Sequence, residues 1–121
     1  MFALFLLAAA PADDDAALKA LLALDVRVAT IGDRLARSGL CDGRLSNPGV
    51  IVQDIGQYAQ ELRPAARRAL GLRDGPTIAA VLAGSAAEHA GLAAGDEIVA
   101  IDGATPPAAE KRRSFGRVGA T

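Results

Sequence analysis

The sequence predicts an α+β domain: a small, partly open β-barrel or sandwich with capping helices, preceded by an amphipathic α-helix. Three observations lead there. Apolar residues recurring at steps of three and four mark one helix in the first third of the chain. Short β-branched runs then alternate with short helical stretches, separated by clusters of Gly, Pro, Asp and Asn. Finally, 121 residues leave room for one hydrophobic core and not for two.

The elements follow in order. Residues 1–12 are apolar and end at Asp13-Asp14-Asp15; Ala10-Pro11-Ala12 has the small-x-small form of a signal-peptidase site. They read as a signal peptide, although the charged n-region is missing and the stretch is shorter than the ~20 residues that span a bilayer. An exported, periplasmic location is the corresponding expectation. Residues 13–40 form the amphipathic helix. Leu21, Leu24, Val28, Ile31 and Leu35 share one stripe, expected to pack on the domain or on a partner, and Asp25, Arg27, Asp33, Arg34 and Arg37 fall mainly off it. Asp13 to Asp15 supply an N-cap and negative charge at the positive end of the dipole. Ser38-Gly39 is the stop.

Asp42-Gly43 and Ser46-Asn47-Pro48-Gly49 are turn chemistry. A strand is expected over 50–55, a second helix over about 59–70, a turn at Arg73-Asp74-Gly75-Pro76, and a strand over 77–82. Ser85 caps a short helix that Gly91 ends, at positive φ. Gly95-Asp96 turns into a strand over 97–101, and Asp102-Gly103 is a hairpin turn.

Composition bounds the chemistry. Thirteen basic residues stand against 14 acidic ones, and the aromatics are three Phe and one Tyr without Trp. With no basic stripe and no stacking platform, nucleic acid is not an expected partner, and Lys111-Arg112-Arg113 reads as a solvated helix start. No segment reads as an integral membrane span. The one cysteine, Cys41, cannot form an intramolecular disulfide and defaults to a buried structural thiol. His89 is the one histidine, so a His-Glu-x-x-His zinc site is ruled out by count. Ser85 lacks a Gly-x-Ser-x-Gly frame, and His89, four residues on in the same helix, gives poor triad geometry. Asp102-Gly103-Ala104 lacks the hydroxyl residue of an aspartic-peptidase motif and is explained as a turn. No enzyme activity, metal or cofactor is expected.

The run from Ile78 to Gly103 resembles the central segment of bacterial PDZ domains: a strand, Gly-Ser-x-Ala, Ala-Gly-Leu, Gly-Asp, then spaced isoleucines and a closing glycine. Gly84, Ser85, Ala87, Ala90, Gly91, Leu92, Gly95, Asp96, Ile98, Ile101 and Gly103 supply every punctuating residue. In that pattern Leu92 packs beneath a turn, and Ile98 and Ile101 point inward. Upstream, Pro48-Gly49-Val50-Ile51-Val52 resembles the carboxylate-binding loop and following strand, with Pro48 where relatives carry a bulky apolar residue. Leu40-Cys41, the Gly49-to-Asp54 strand and Gln57-Tyr58 are similar to PDZ-bearing proteins of zinc-peptidase-like families.

The resemblance implies a PDZ-like domain over residues 45–121, incomplete at its C-terminus, because relatives continue through a long helix and another strand. It also implies a non-catalytic module that binds a C-terminal peptide or protein tail. Gly49, Val50 and Ile51 would receive the carboxylate, Val52 and Gln53 would pair with the peptide, and Phe115 and Val118 would form the far pocket wall. Val50 and Ile51 read equally well as ordinary strand core, and Phe115 and Val118 as ordinary helix core. The alternative is a regulatory fragment of an exported peptidase whose catalytic domain lies outside this chain.

Overall fold

The computed structural model describes residues 11–39 and 47–107. The expectations for Leu40, Cys41, Asp42-Gly43, Lys111–Arg113, Phe115 and Val118, and for residues 1–10, lie outside them. Helix α1 (Pro11–Arg37) is followed by strand β1 (Val50–Gln53), two 3-10 turns (Ile55–Gln57 and Gln60–Leu62), helix α2 (Arg63–Leu70), strand β2 (Thr77–Val81) and helix α3 (Ala86–His89). This mixture of helices with a small open sheet is the α+β class the sequence predicts.

Helix α1 is rich in Ala and Leu, which lose little freedom on becoming helical. The helical residues extend back to Pro11. Asp13 and Asp14 therefore sit inside the first turn instead of capping it; they still oppose the helix dipole, as Arg34 and Arg37 do in the last turn. The helix stops as expected: the Ser38 N–H and Oγ both donate to Leu35 O, and Gly39 takes φ 82°.

Helix α1 docks on the rest of the domain through residues off the predicted stripe. Leu18 is buried at 6% exposure in the cluster formed by Ile55, Ala65, Ala66, Leu70, Leu72 and Ala79, with Leu22 packed against it. Leu21, Leu24, Val28, Ile31 and Leu35 are instead exposed by 58, 53, 70, 57 and 55%. Length explains the difference. Helix α2 has eight residues and covers about 12 Å, whereas the stripe runs for about 21 Å. The alanines of α2 let α1 approach closely at Leu18, and the Arg68 Nε and Nη2 donate to Asp15 carboxylate oxygens at 3.3 and 3.1 Å on that side.

Strand β1 ends at Gln53, two residues short of the expected boundary. Asp54 begins a reciprocal cap there: its carboxylate accepts from Gly56 N, and its own N–H donates to Gln57 Oε1. The strands are antiparallel, with Val50 opposite Val81, Ile51 opposite Ala80, Val52 opposite Ile78 and Gln53 opposite Thr77; the register shifts between Ile51 and Val52. Alternation gives the sheet two faces. Ile51 and Ala79 join the helical core, while Val50 and Ile78 face the segment that follows α3.

That segment differs from the expected strand over 97–101. Among the described residues it makes two isolated bridges, Thr77 with Glu97 and Ile101 with Ala104. Ile78 N–H donates to Asp96 O, Gly95 N–H to Ile78 O and Ile98 N–H to Pro76 O, so pairing lasts about one turn of the ladder before the chain leaves β2. With no longer partner among the described residues, Ile101 is 62% exposed and Leu92 43%, not inward as expected; Ile98 is half-buried. The Asp102-Gly103 turn forms as read, with φ of 51° and 79° and reciprocal bonds between Ile101 and Ala104, a type I′ hairpin.

Candidate peptide-binding site

The site is built where the Pro48-Gly49 loop enters β1. Leu82 N–H donates to Gly49 O at 2.7 Å and Ala87 N–H to Pro48 O at 3.0 Å, so the loop is stitched to the chain that leads into α3. Gly49 has two reasons to be glycine. Its φ is 85°, and an added Cβ would sit 2.5 Å from Ser85 Oγ and closer still to Ser85 Cβ. Ser85 is itself fully buried, and its Oγ accepts from Glu88 N as the cap of α3.

Because Gly49 O turns toward β2, alternation directs the Val50 peptide groups to the opposite, open edge. Gly49 N–H donates to Asn47 Oδ1 at 2.9 Å, the acceptor position an anion would take in a glycine loop. Val50 and Ile51 are half-buried and Val52 is 41% exposed, so the residues expected to hold a ligand are also strand residues. The Gln53 side chain is engaged: Tyr58 Oη donates to its Oε1 at 2.5 Å. Burial, and secondarily the negative charge of Asp25, hold the Tyr58 pKa above its ordinary value, so the phenol keeps its donor proton.

Beside Val50 lies an open groove of about 540 Å³, walled by Ile78, Leu92, Ile98 and Val99, with Arg73 on its rim. Val99 is 70% exposed there. Arg73 Nε donates to Gly95 O, and Gly75 N donates to Glu97 Oε1, which fixes the groove's far side to the turn before β2. The buried Thr77 hydroxyl, donating to Gly75 O and accepting from Arg73 N, locks the same turn.

The structure thus brings Gly49, Val50, Ile51, Val52 and Gln53 into one edge, while Phe115 and Val118 lie outside the described residues. Ser85 and Asn47 were not singled out as site residues by their sequence context. Ser85 shows a capping pattern and a place in the Gly-Ser-x-Ala run there, neither of which points to a contact with Gly49, and the Asn47 contact is a local turn bond. Among the described residues, no group of three or more His, Cys, Asp or Glu could hold a metal ion. The Ser85 hydroxyl is buried and bonded, and His89 Nδ1 lies 2.7 Å from the Ser85 carbonyl oxygen, so these two residues form no nucleophile and base pair. No helix among the described residues is long and apolar enough to cross a membrane.

No curated protein and no solved structure matches the chain. The model of a family described as PDZ domain matches residues 77–109, which include β2, α3, the Gly95-Asp96 turn and the Asp102-Gly103 hairpin. PDZ domains are in general non-catalytic modules that bind peptides or proteins. Over that stretch the chain is similar to a PDZ domain, and its α+β architecture is PDZ-like.

Proposed function

We propose that the chain binds the C-terminal tail of a peptide or protein, which adds as a strand to the open edge of β1. The observation that carries this reading is the outward Val50 backbone, one residue after a glycine at positive φ and beside an apolar groove. Backbone pairing along Val50 to Gln53 supplies affinity that is independent of sequence. The ligand carboxylate displaces Asn47 Oδ1 and accepts from Gly49 N–H and the neighbouring amides. Its last side chain enters the groove by Val50, Ile98 and Val99, so small or branched apolar termini bind best. Residues 1–12 support an exported setting for this binding.

A titration of the full chain against C-terminal peptides, each paired with its amidated twin, tests the proposal. Binding that amidation abolishes supports carboxylate capture. Equal binding of both twins removes the loop's role, and no binding by the folded chain refutes the function.

A further inference from the structure

Five aliphatic side chains on α1 face solvent, and their spacing is not that of a generic helix surface. Leu21, Leu24, Val28, Ile31 and Leu35 follow steps of three, four, three and four, the a/d repeat of a coiled-coil seam. A period of 3.5 keeps such a stripe straight only against another helix. All five are more than half exposed, and their mean direction lies more than about 100° around the helix from Leu18 and Leu22, which face α2. The helix is therefore docked on one side and bare on the other.

We infer that this face is a homodimer interface, in which α1 of a second copy packs in parallel along the seam. Size and charge both point to a second copy. Burying the exposed parts of five aliphatic side chains removes roughly 500 Å² per copy and about 1,000 Å² in all, the lower bound of a specific interface. Because α1 is already held by the Leu18 contact and the Asp15–Arg68 pair, the dimer need not also nucleate a helix. One edge of the seam carries Ala20, Arg27 and Arg34, and the other carries Leu18, Asp25 and Gly32. An antiparallel pair sets arginines against arginines. A parallel pair sets Arg27 opposite Gly32 and Ala20 opposite Asp25 of the other copy, without like charges in register. Val28 at a central a position suits two strands.

The test is sedimentation of the full chain over a concentration series, beside Val28→Glu. Val28 is 70% exposed, so the variant keeps the wild-type circular dichroism and, in dilute solution where both are monomeric, the wild-type melt. The wild type self-associates to a dimer, and Val28→Glu raises the dimer Kd about tenfold or more. Val28→Glu retains residues 1–12, so association that survives in it arises elsewhere and overturns the inference, as does a wild type that stays monomeric to about 100 μM. Orientation is read from disulfides in a Cys41→Ser background. Leu35→Cys alone cross-links to itself in a parallel dimer. Cross-linking only when Leu35→Cys is mixed with Leu24→Cys shows an antiparallel pair, in which a packs against d, and overturns the assigned geometry.

Discussion

Substituting Gly49 by alanine isolates the contact that holds the binding loop in place. Two costs combine at this position. An L-residue at φ 85° is strained by about 1–2 kcal/mol, and forcing a methyl against Ser85 adds about 1–3 kcal/mol of overpacking. A loss of about 3 kcal/mol is therefore expected, a large share of the stability of a small domain. Gly84 supplies the control: its φ is 72°, but an added Cβ meets nothing within 4 Å, so Gly84→Ala costs only the strain, about 1 kcal/mol. Ser85→Gly removes both offending atoms and leaves Ser85 Cα at 3.5 Å, an ordinary contact. The Gly49→Ala/Ser85→Gly pair should then be more stable than the sum of its parts by about 1–3 kcal/mol. Denaturant unfolding followed by circular dichroism gives all four values. If Gly49→Ala costs no more than Gly84→Ala, or if Ser85→Gly recovers nothing, the close approach is not the reason for the glycine.

Other residues give sharper contrasts. Leu18→Ala should destabilise by about 2–4 kcal/mol, whereas Leu24→Ala, measured in dilute solution, should change stability by less than about 0.5 kcal/mol. Tyr58 holds its proton more tightly folded than unfolded, so the stability it contributes is complete below its ordinary pKa near 10 and is lost as pH rises above it. Tyr58→Phe should flatten that alkaline decline in pH-dependent melts. Val99→Asp should weaken peptides with apolar termini in titration while leaving the melting temperature unchanged, because Val99 is 70% exposed. Asn47→Ala should tighten free-carboxylate peptides and leave amidated twins unaffected, since it releases Gly49 N–H.

What the sequence makes legible here is local. The Ser85 cap, the positive φ at Gly91 and the Asp102-Gly103 turn depend on a few adjacent residues, and all three form as read. The end of β1 was equally local: Asp54-Ile-Gly-Gln57 is a capping box, and reading it would have closed the strand at Gln53. The α1 stripe shows the limit. Periodicity reveals that five side chains share a face, but the choice between that face and the one with Leu18 depends on the length of α2 and on Ala65 and Ala66. The strand expected over 97–101 fails for a related reason: Ile98 to Ile101 have suitable composition, yet a strand also needs a neighbour in register. The engagement of Gln53 by Tyr58 and of Gly49 by Ser85 spans turns and helices, so residue spacing carries no trace of either.

The stitch between the Pro48-Gly49 loop and the approach to α3 also governs which amides exchange with solvent. The Leu82 and Ala87 N–H groups are donors to Gly49 O and Pro48 O, so each becomes available to water only when the loop lifts away. A peptide seated on β1 that favours the closed loop lowers the population of that open form. Deuterium uptake at Leu82 and Ala87 then slows in proportion to ligand occupancy, although neither amide faces the peptide. Two backbone protons across the sheet become reporters of the bound state.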